Sequence, residues 1–237
     1  MAKMRPFKAV VFDVDGTLCS FSTGLGDVYA GVLAAHGVHG DPQLLNQSLK
    51  RTWSGFQDRY LNTADQYHTS PEREREVWLE FATKVLEDAG ISPVGREHLV
   101  EEIYRSFSSP QGRTIEPGAV ECLQALRSSG VVVAAATNND IRTKEALNAL
   151  GLAQYLDVVF VAAELSWKKP SPRYFETIAA RLCVEPVSLV HVGNSLELDI
   201  VPAQKSGWSA VLYDPRGKGE EPRVGSLADL VRFLEQR

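Results

Sequence analysis

The stretch KAVVFDVDGT, Lys8–Thr17, sets four apolar residues, Ala9 to Phe12, directly before two carboxylates one residue apart, Asp13 and Asp15. A short apolar run closed by a polar turn suits a strand buried on both faces. The carboxylates cannot follow it into the core unpaired. They are either solvated at a turn or kept for chemistry. Asp-Gly at 15–16 is itself a turn signal, but no alternating strand follows Thr17, which argues against a hairpin.

The same texture returns after residue 118. Val131–Ala136, Val158–Ala162, Leu189–Val192 and Ala210–Tyr213 read as buried strands. Between and after them Ala119–Arg127, Ile141–Leu150, Pro172–Leu182, Leu198–Lys205 and Leu227–Leu234 have helical patterns. Gly130 and Gly151 stand where helix-ending glycines belong. This alternation predicts an α/β fold, a doubly wound parallel sheet covered by helices on both faces. Residues 19–111 contain no convincing strand and read as helices at Leu25–His36, Pro42–Phe56, Pro71–Ala89 and Arg96–Phe107, with Ser70-Pro71 as a cap and first turn. The expected organisation is a core of residues 1–18 and 112–237 interrupted by a helical domain at 19–111.

In open parallel sheets ligands bind beyond the carboxyl ends of the strands. Asp13-Val14-Asp15-Gly16-Thr17, Thr137-Asn138-Asn139, Lys168-Lys169-Pro170 and Gly193-Asn194-Ser195 all follow strands, so four polar clusters should meet at one edge. Residues i and i+2 of an extended chain share a side, so Asp13 and Asp15 face one space. At ~6–7 Å two carboxylates repel by roughly 2–3 kcal/mol at an effective dielectric of 20. A divalent cation offsets that, and Mg2+ suits all-oxygen ligands while keeping room for a phosphate.

The 237 residues carry a net charge of −5, with 44% apolar and 23% charged residues, which is ordinary for a globular chain. Lys168-Lys169 is the one adjacent lysine pair, so no basic patch for nucleic acid is expected. Cys19, Cys122 and Cys183 are odd in number and scattered, without disulfide or zinc spacing. No apolar run approaches ~18 residues, and Asp13 cuts the first run too early for a signal peptide. A cytoplasmic chain with no membrane partner is the expectation.

DVDGT after an apolar strand, Thr137-Asn138 after a second, KPSPRYF at 169–175 and GNSLELD at 193–199 resemble the haloacid dehalogenase-like (HAD) hydrolase superfamily in order and spacing, over nearly the whole chain. The helical insert resembles that family's cap of the first type, and the core its Rossmann-like sheet. The resemblance implies a magnesium-dependent phosphatase acting on a small phosphorylated metabolite. Asp13 is then the nucleophile that becomes phosphorylated, and Asp15 the general acid and then base. The Thr137 hydroxyl, main-chain N–H groups near Asn138 and Val14, and Lys169 bind phosphoryl oxygens, Lys169 also pairing with the nucleophile. Asp13, Asp15, Asn194 and Asp199 make up the metal site, Asp15 through its main-chain carbonyl and Asp199 by orienting metal-bound water or Lys169.

The chain departs from the family where Asn194 replaces the usual metal-binding aspartate, which implies weaker metal affinity. The alternatives are a phosphomutase, a metal-free dehalogenase, which has no use for Asp15, and a weakly active or non-catalytic ligand-binding protein. Arg51, Trp53, Arg59 and Tyr60 are candidates for contact with the leaving group, though surface or core roles suit them equally. Lys168 reads as a solvated lysine and His191 as a core histidine. Gly24 and Gly26 read as a flexible hinge into the insert, and the oligomeric state is not legible.

Overall fold

The structure, a computed structural model, describes residues 7–21, 24–217 and 222–236. The strands are β1 (Ala9–Phe12), β2 (Cys19–Phe21), β3 (Arg113–Ile115), β4 (Val132–Thr137), β5 (Val158–Val161), β6 (Leu189–Gly193), β7 (Ser209–Tyr213) and β8 (Arg223–Val224). Six of them form one parallel sheet in the order β5-β4-β1-β6-β7-β8. The chain builds outward from β1 on one side, then crosses to the other. The crevice beside the carboxyl end of β1 is therefore the switch point where such sheets bind ligands.

Both faces of the sheet are covered, which is why β1 is apolar without alternation. Val10 and Phe12 face one core with Leu123 and Leu126 of α5 (Ala119–Ser128) and Leu230 and Leu234 of the C-terminal helix Leu227–Glu235. Ala9 and Val11 face the other with Tyr174, Phe175 and Ile178 of the helix Pro172–Leu182.

The insert has its own core. Four helices build it: α1 (Leu25–Ala35), α2 (Pro42–Leu61), α3 (Pro71–Asp88) and α4 (Glu97–Ser106). Tyr29, Leu33, Leu45, Phe56, Val77 and Leu99 are among the buried residues between them. Asp41 caps α2 by accepting from the Gln43 N–H, and Ser70 caps α3 by accepting from Arg73 N–H, the latter at the Ser-Pro pair named above.

Several expectations need correction. Residues 19–111 do contain a strand, since β2 pairs antiparallel with β3 to join the two chain crossings into the insert. Three residues are too few for an alternation to show. Helix α2 runs past Phe56 to Leu61, because Tyr60 continues the buried stripe and left-handed Asn62 (φ 58°) ends it. The expected helix Leu198–Lys205 is a π-helical turn, Leu196–Ile200, followed by a short helix, Val201–Lys205. Gly24 and Gly26, expected as a hinge, also serve close packing. A Cβ on Gly26 would lie 2.3 Å from the Pro42 carbonyl, and Gly26 N–H donates to Asn46 Oδ1 at 2.9 Å, so these glycines let α1 and α2 pack closely. Ser22 and Thr23 of that stretch lie outside the described residues. Among the described residues no helix is long and apolar enough to cross a membrane.

Candidate active site

Asp13 directly follows β1 and its N–H still bonds Val192 O on β6 at 2.8 Å, so the ladder holds the residue rigidly at the sheet edge. The chain then turns, with the N–H groups of Thr17, Leu18 and Cys19 all gathered on Val14 O. Gly16 takes φ +83° there, and a Cβ on it would strike the Asn194 side chain at 2.1 Å.

Lys169 sits between two carboxylates. Its Nζ donates to Asp13 Oδ1 and to Asp199 Oδ1, both at 2.6 Å, and all three residues are buried. Asp199 also takes the His191 ring at 2.9 Å and Ser195 N–H at 3.1 Å. A Cβ on Gly193 would lie 2.3 Å from Asp199 Cγ, so only glycine admits this carboxylate behind β6.

Two carboxylates thus share one ammonium, and they do not share it equally. Burial opposes ionisation of Asp199, but Lys169 and the His191 hydrogen bond overcome it and hold the carboxyl well below its usual range. Burial pushes Asp13 up to about 7, only partly offset by Lys169. Lys169 is raised, its desolvation outweighed by Asp13 and Asp199, and His191 is lowered chiefly by burial. Of the two carboxyls Asp13 is the one protonated first as pH falls, while Asp199 stays ionised against Lys169.

Asp15 opens on the same space, its carboxylate held from both sides. Arg113 Nη1 donates to Oδ1 and Asn139 Nδ2 to Oδ2, both at 2.6 Å. Arg113 lies on β3, with its guanidinium 4.1 Å from the Phe21 ring centroid, so the return strand of the insert touches this carboxylate directly. Thr137 Oγ1 accepts from Asn139 N–H at 3.2 Å, the turn-capping role, while the residue also lines the cavity.

The Asn138 side chain is committed elsewhere. It donates to Lys169 O at 2.9 Å and accepts from Lys169 N–H at 2.6 Å, clamping the lysine's backbone and leaving only main-chain groups for a ligand.

The donors suit a hard cation through oxygen alone. Among the described residues Asp13 Oδ2 receives only the Thr17 hydroxyl, at 3.2 Å. Asn194 lies against Asp15 O, with its Nδ2 3.4 Å away. Asp13, the Asp15 carbonyl and the Asn194 amide therefore form a set with one ionisable member, and a cation there would offset the burial that opposes ionisation of Asp13. Among the described residues no three His, Cys, Asp or Glu side chains are grouped to hold an ion. Asp199 is not free to serve as a direct ligand, because Lys169, His191 and Ser195 N–H already occupy both its oxygens. It orients Lys169 instead.

A cavity of about 320 Å3 rises from Asp13, Asp15, Thr137, Lys169 and Asn194 into the insert, where Trp53 and Tyr60 line it. Arg51 and Arg59 are elsewhere, paired with Asp88 and with Glu76 and Glu80. Arg113, Asn139 and His191 are the polar neighbours that sequence reasoning missed or undervalued. Asn139 carried a signal, being next to Thr137-Asn138, whereas Arg113 had none beyond its place at the return from the insert.

Lys168 is not solvated. Its side chain is 0% exposed, donates to Tyr60 O at 2.8 Å, pairs with buried Glu74 at 2.9 Å and lies 3.3 Å from the Tyr60 ring centroid. Burial pulls its pKa down to about 8. Lys168 bolts α2 and α3 of the insert to the core, one residue before Lys169.

Comparison with known proteins agrees with this layout. The family profile for haloacid dehalogenase-like hydrolases matches residues 7–207. The chain is 26% identical over 241 residues to human haloacid dehalogenase-like hydrolase domain-containing protein 3, covering 99% of this chain and 95% of that one. It is 29% identical over 211 residues to the phosphoglycolate phosphatase of Neisseria meningitidis, covering 89% and 81%. Among solved structures, a defluorinating L-2-haloacid dehalogenase superposes with a TM-score of 0.78 at 19% identity, covering 96% and 94%, a likeness of fold. With its motifs gathered at the switch point of a doubly wound sheet and a family match across most of its length, this chain belongs to the haloacid dehalogenase-like hydrolases.

Proposed function

We propose that this hydrolase is a magnesium-dependent phosphatase that cleaves phosphate monoesters of small molecules through an aspartyl-phosphate on Asp13. The observation that carries the reading is the second carboxylate. Asp15 stands at the mouth of the same cavity as Asp13, fixed by Arg113 and Asn139. Dehalogenation needs the nucleophile but has no role for an acid two residues on.

In this mechanism Asp13 attacks phosphorus and the bond to the leaving oxygen breaks. Asp15 gives that oxygen its proton, then takes one from the water that hydrolyses the aspartyl-phosphate, releasing inorganic phosphate. The Thr137 hydroxyl, which already accepts from Asn139, donates its proton to a phosphoryl oxygen. Lys169 supplies a fixed positive charge beside the nucleophile. Asp13, the Asp15 carbonyl and Asn194 would hold Mg2+, which would supply charge neutralisation at the phosphoryl group. We read residues 19–111 as a cap that keeps bulk water from the site, and the three unpaired cysteines as those of a cytoplasmic protein.

Asn194 favours a second reading, a weakly active protein that binds its ligand without rapid turnover, since it leaves one carboxylate for the cation. Phosphate release from a panel of monoesters, with and without Mg2+, separates the two. Turnover that requires both Mg2+ and Asp13 supports the phosphatase. Binding of the esters without phosphate release overturns it.

A further inference from the structure

The wall of the cavity away from Asp13 differs in chemistry from its floor. Tyr29, Trp53, Trp78, Phe81 and Phe107 line it. Trp53 and Trp78 lie parallel with centroids 6.4 Å apart, and Phe81 meets Trp53 edge-on at 5.7 Å. These rings form one packed aromatic surface, able to receive another ring by stacking or edge contact.

Every cation that lines the cavity, among the described residues, is already matched by a carboxylate of the protein. Lys169 is held by Asp13 and Asp199, and Arg113 by Asp15. Arg142 lies 5.5 Å from the Trp78 ring centroid, but its guanidinium is forked onto Asp140, with Nε to Oδ1 and Nη2 to Oδ2 both at 2.9 Å. It also donates to Tyr104 O at 2.8 Å and stacks 3.7 Å from the Tyr104 ring centroid. The hydroxyls are committed too. Tyr60 donates towards Asn138 O and Asn139 Oδ1, and Tyr104 donates to Asp140 Oδ2.

An acidic leaving group, such as a carboxylate or a second phosphate, would enter this wall without a counter-ion, a costly desolvation. A neutral ring meets mainly carbon and π faces, with the buried Trp78 indole N–H, unpartnered among the described residues, as a donor in the same wall.

Resting on the phosphatase reading, we propose that the ester carries a neutral aromatic alcohol as its leaving group, seated against Trp53, Trp78 and Phe81. Size agrees. A cavity of about 150 Å3 accepts benzene, so 320 Å3 takes a phosphoryl group and one or two fused rings. The preference departs from the relative that acts on phosphoglycolate, whose leaving group is an acid.

Two measurements on the full chain test this. The first compares kcat/KM for 2-naphthyl phosphate and phosphoglycolate in Mg2+. The expected ratio is about 100-fold in favour of the naphthyl ester, a differential of transition-state binding typical of pocket complementarity. The second measures binding of 2-naphthol and of glycolate by calorimetry, independently of turnover, to wild type, Trp53→Phe and Trp53→Ala. Naphthol should bind wild type and Trp53→Phe, bind Trp53→Ala about tenfold more weakly, and glycolate should give no heat.

Hydrolysis with equal or reversed preference overturns the aromatic assignment and leaves the phosphatase standing. Naphthol binding without hydrolysis of either ester overturns the phosphatase and leaves the aromatic site standing. Absence of both overturns both. Should Trp53→Ala not fold, the wild-type comparison of naphthol with glycolate decides alone.

Discussion

The floor and the roof of the cavity are built by opposite rules. The floor is charged, buried and contributed one cluster per strand end: Asp13 after β1, Thr137 at the end of β4, Lys169 beyond β5, Asp199 beyond β6. Its groups neutralise one another over 2.6 Å contacts. The roof is aromatic carbon on α1, α2 and α3, where charge appears only when already paired. The floor is built for a step that moves charge, the roof for choosing what is attached to the phosphoryl group. The two regions meet at the cations Arg113, Lys168 and Arg142 and at the Tyr60 hydroxyl on Asn138 and Asn139, and a change there disturbs both.

The largest expected effect strikes the floor alone. Asp13→Asn keeps the shape but removes the nucleophile, and turnover of any ester should fall by ~10⁴-fold or more, with a melting temperature no lower than wild type. Phosphate release and a thermal melt measure the two. Turnover persisting within tenfold would mean that Asp13 is not the phosphorylated group.

Next, the adjacent lysines divide the regions. Lys169→Met strips two buried carboxylates of their cation and should lower both stability and kcat, the latter by ~10³-fold. Lys168→Met leaves Glu74 buried, with Thr69 and Arg73 as its remaining neighbours, and should cost about 3 kcal/mol in urea denaturation. Its kcat should stay within about tenfold of wild type. Equal losses of kcat in both variants would dissolve the distinction between floor and bolt.

A smaller effect is expected in pH. Burial raises Asp13 from the ordinary aspartate value of 3.8 to about 7, so the folded protein binds more protons than the unfolded chain between those values. Its contribution to stability is present in full below 3.8 and is lost as pH rises through 7. In chelator, wild type should therefore lose about 2 kcal/mol relative to Asp13→Asn between pH 5 and 7. Parallel stability curves for the two proteins would show that Asp13 is not protonated on folding.

The smallest effect concerns Asn194. Asn194→Asp adds a second carboxylate to the donor set, and Mg2+ should bind about tenfold more tightly by calorimetry. Unchanged affinity would place the cation away from residue 194.

Some of this was readable at the level of single residues. The apolar run Ala9–Phe12 followed by Asp13 and Asp15 announced both a doubly covered strand and its functional end, because burial on two faces and the exclusion of lone charges are local constraints. Lys169 and Thr137 were found through strand ends for the same reason. Lys168 was misjudged because nothing in KKP separates a lysine aimed at Asp13 from one aimed at Glu74, and Glu74 lies 94 residues earlier. The Asn138 amide clamps the Lys169 backbone while its main chain stays open to a ligand, and Asp199 orients Lys169, one of the two roles open to it. Both cases turn on which of several feasible partners a polar group meets.

The primary structure alone was enough to establish the five longest strands of the parallel sheet and most of the helices in their order, the interruption after the first strand, and the chemical kind of each group at the sheet edge, since periodicity and turn chemistry act over a few residues. Tertiary packing decided how two carboxylates divide one ammonium, which cations remain uncommitted, and that the insert presents rings rather than charges to the nucleophile. Those outcomes depend on distances between groups tens of residues apart, and a chain acquires such distances only when it folds.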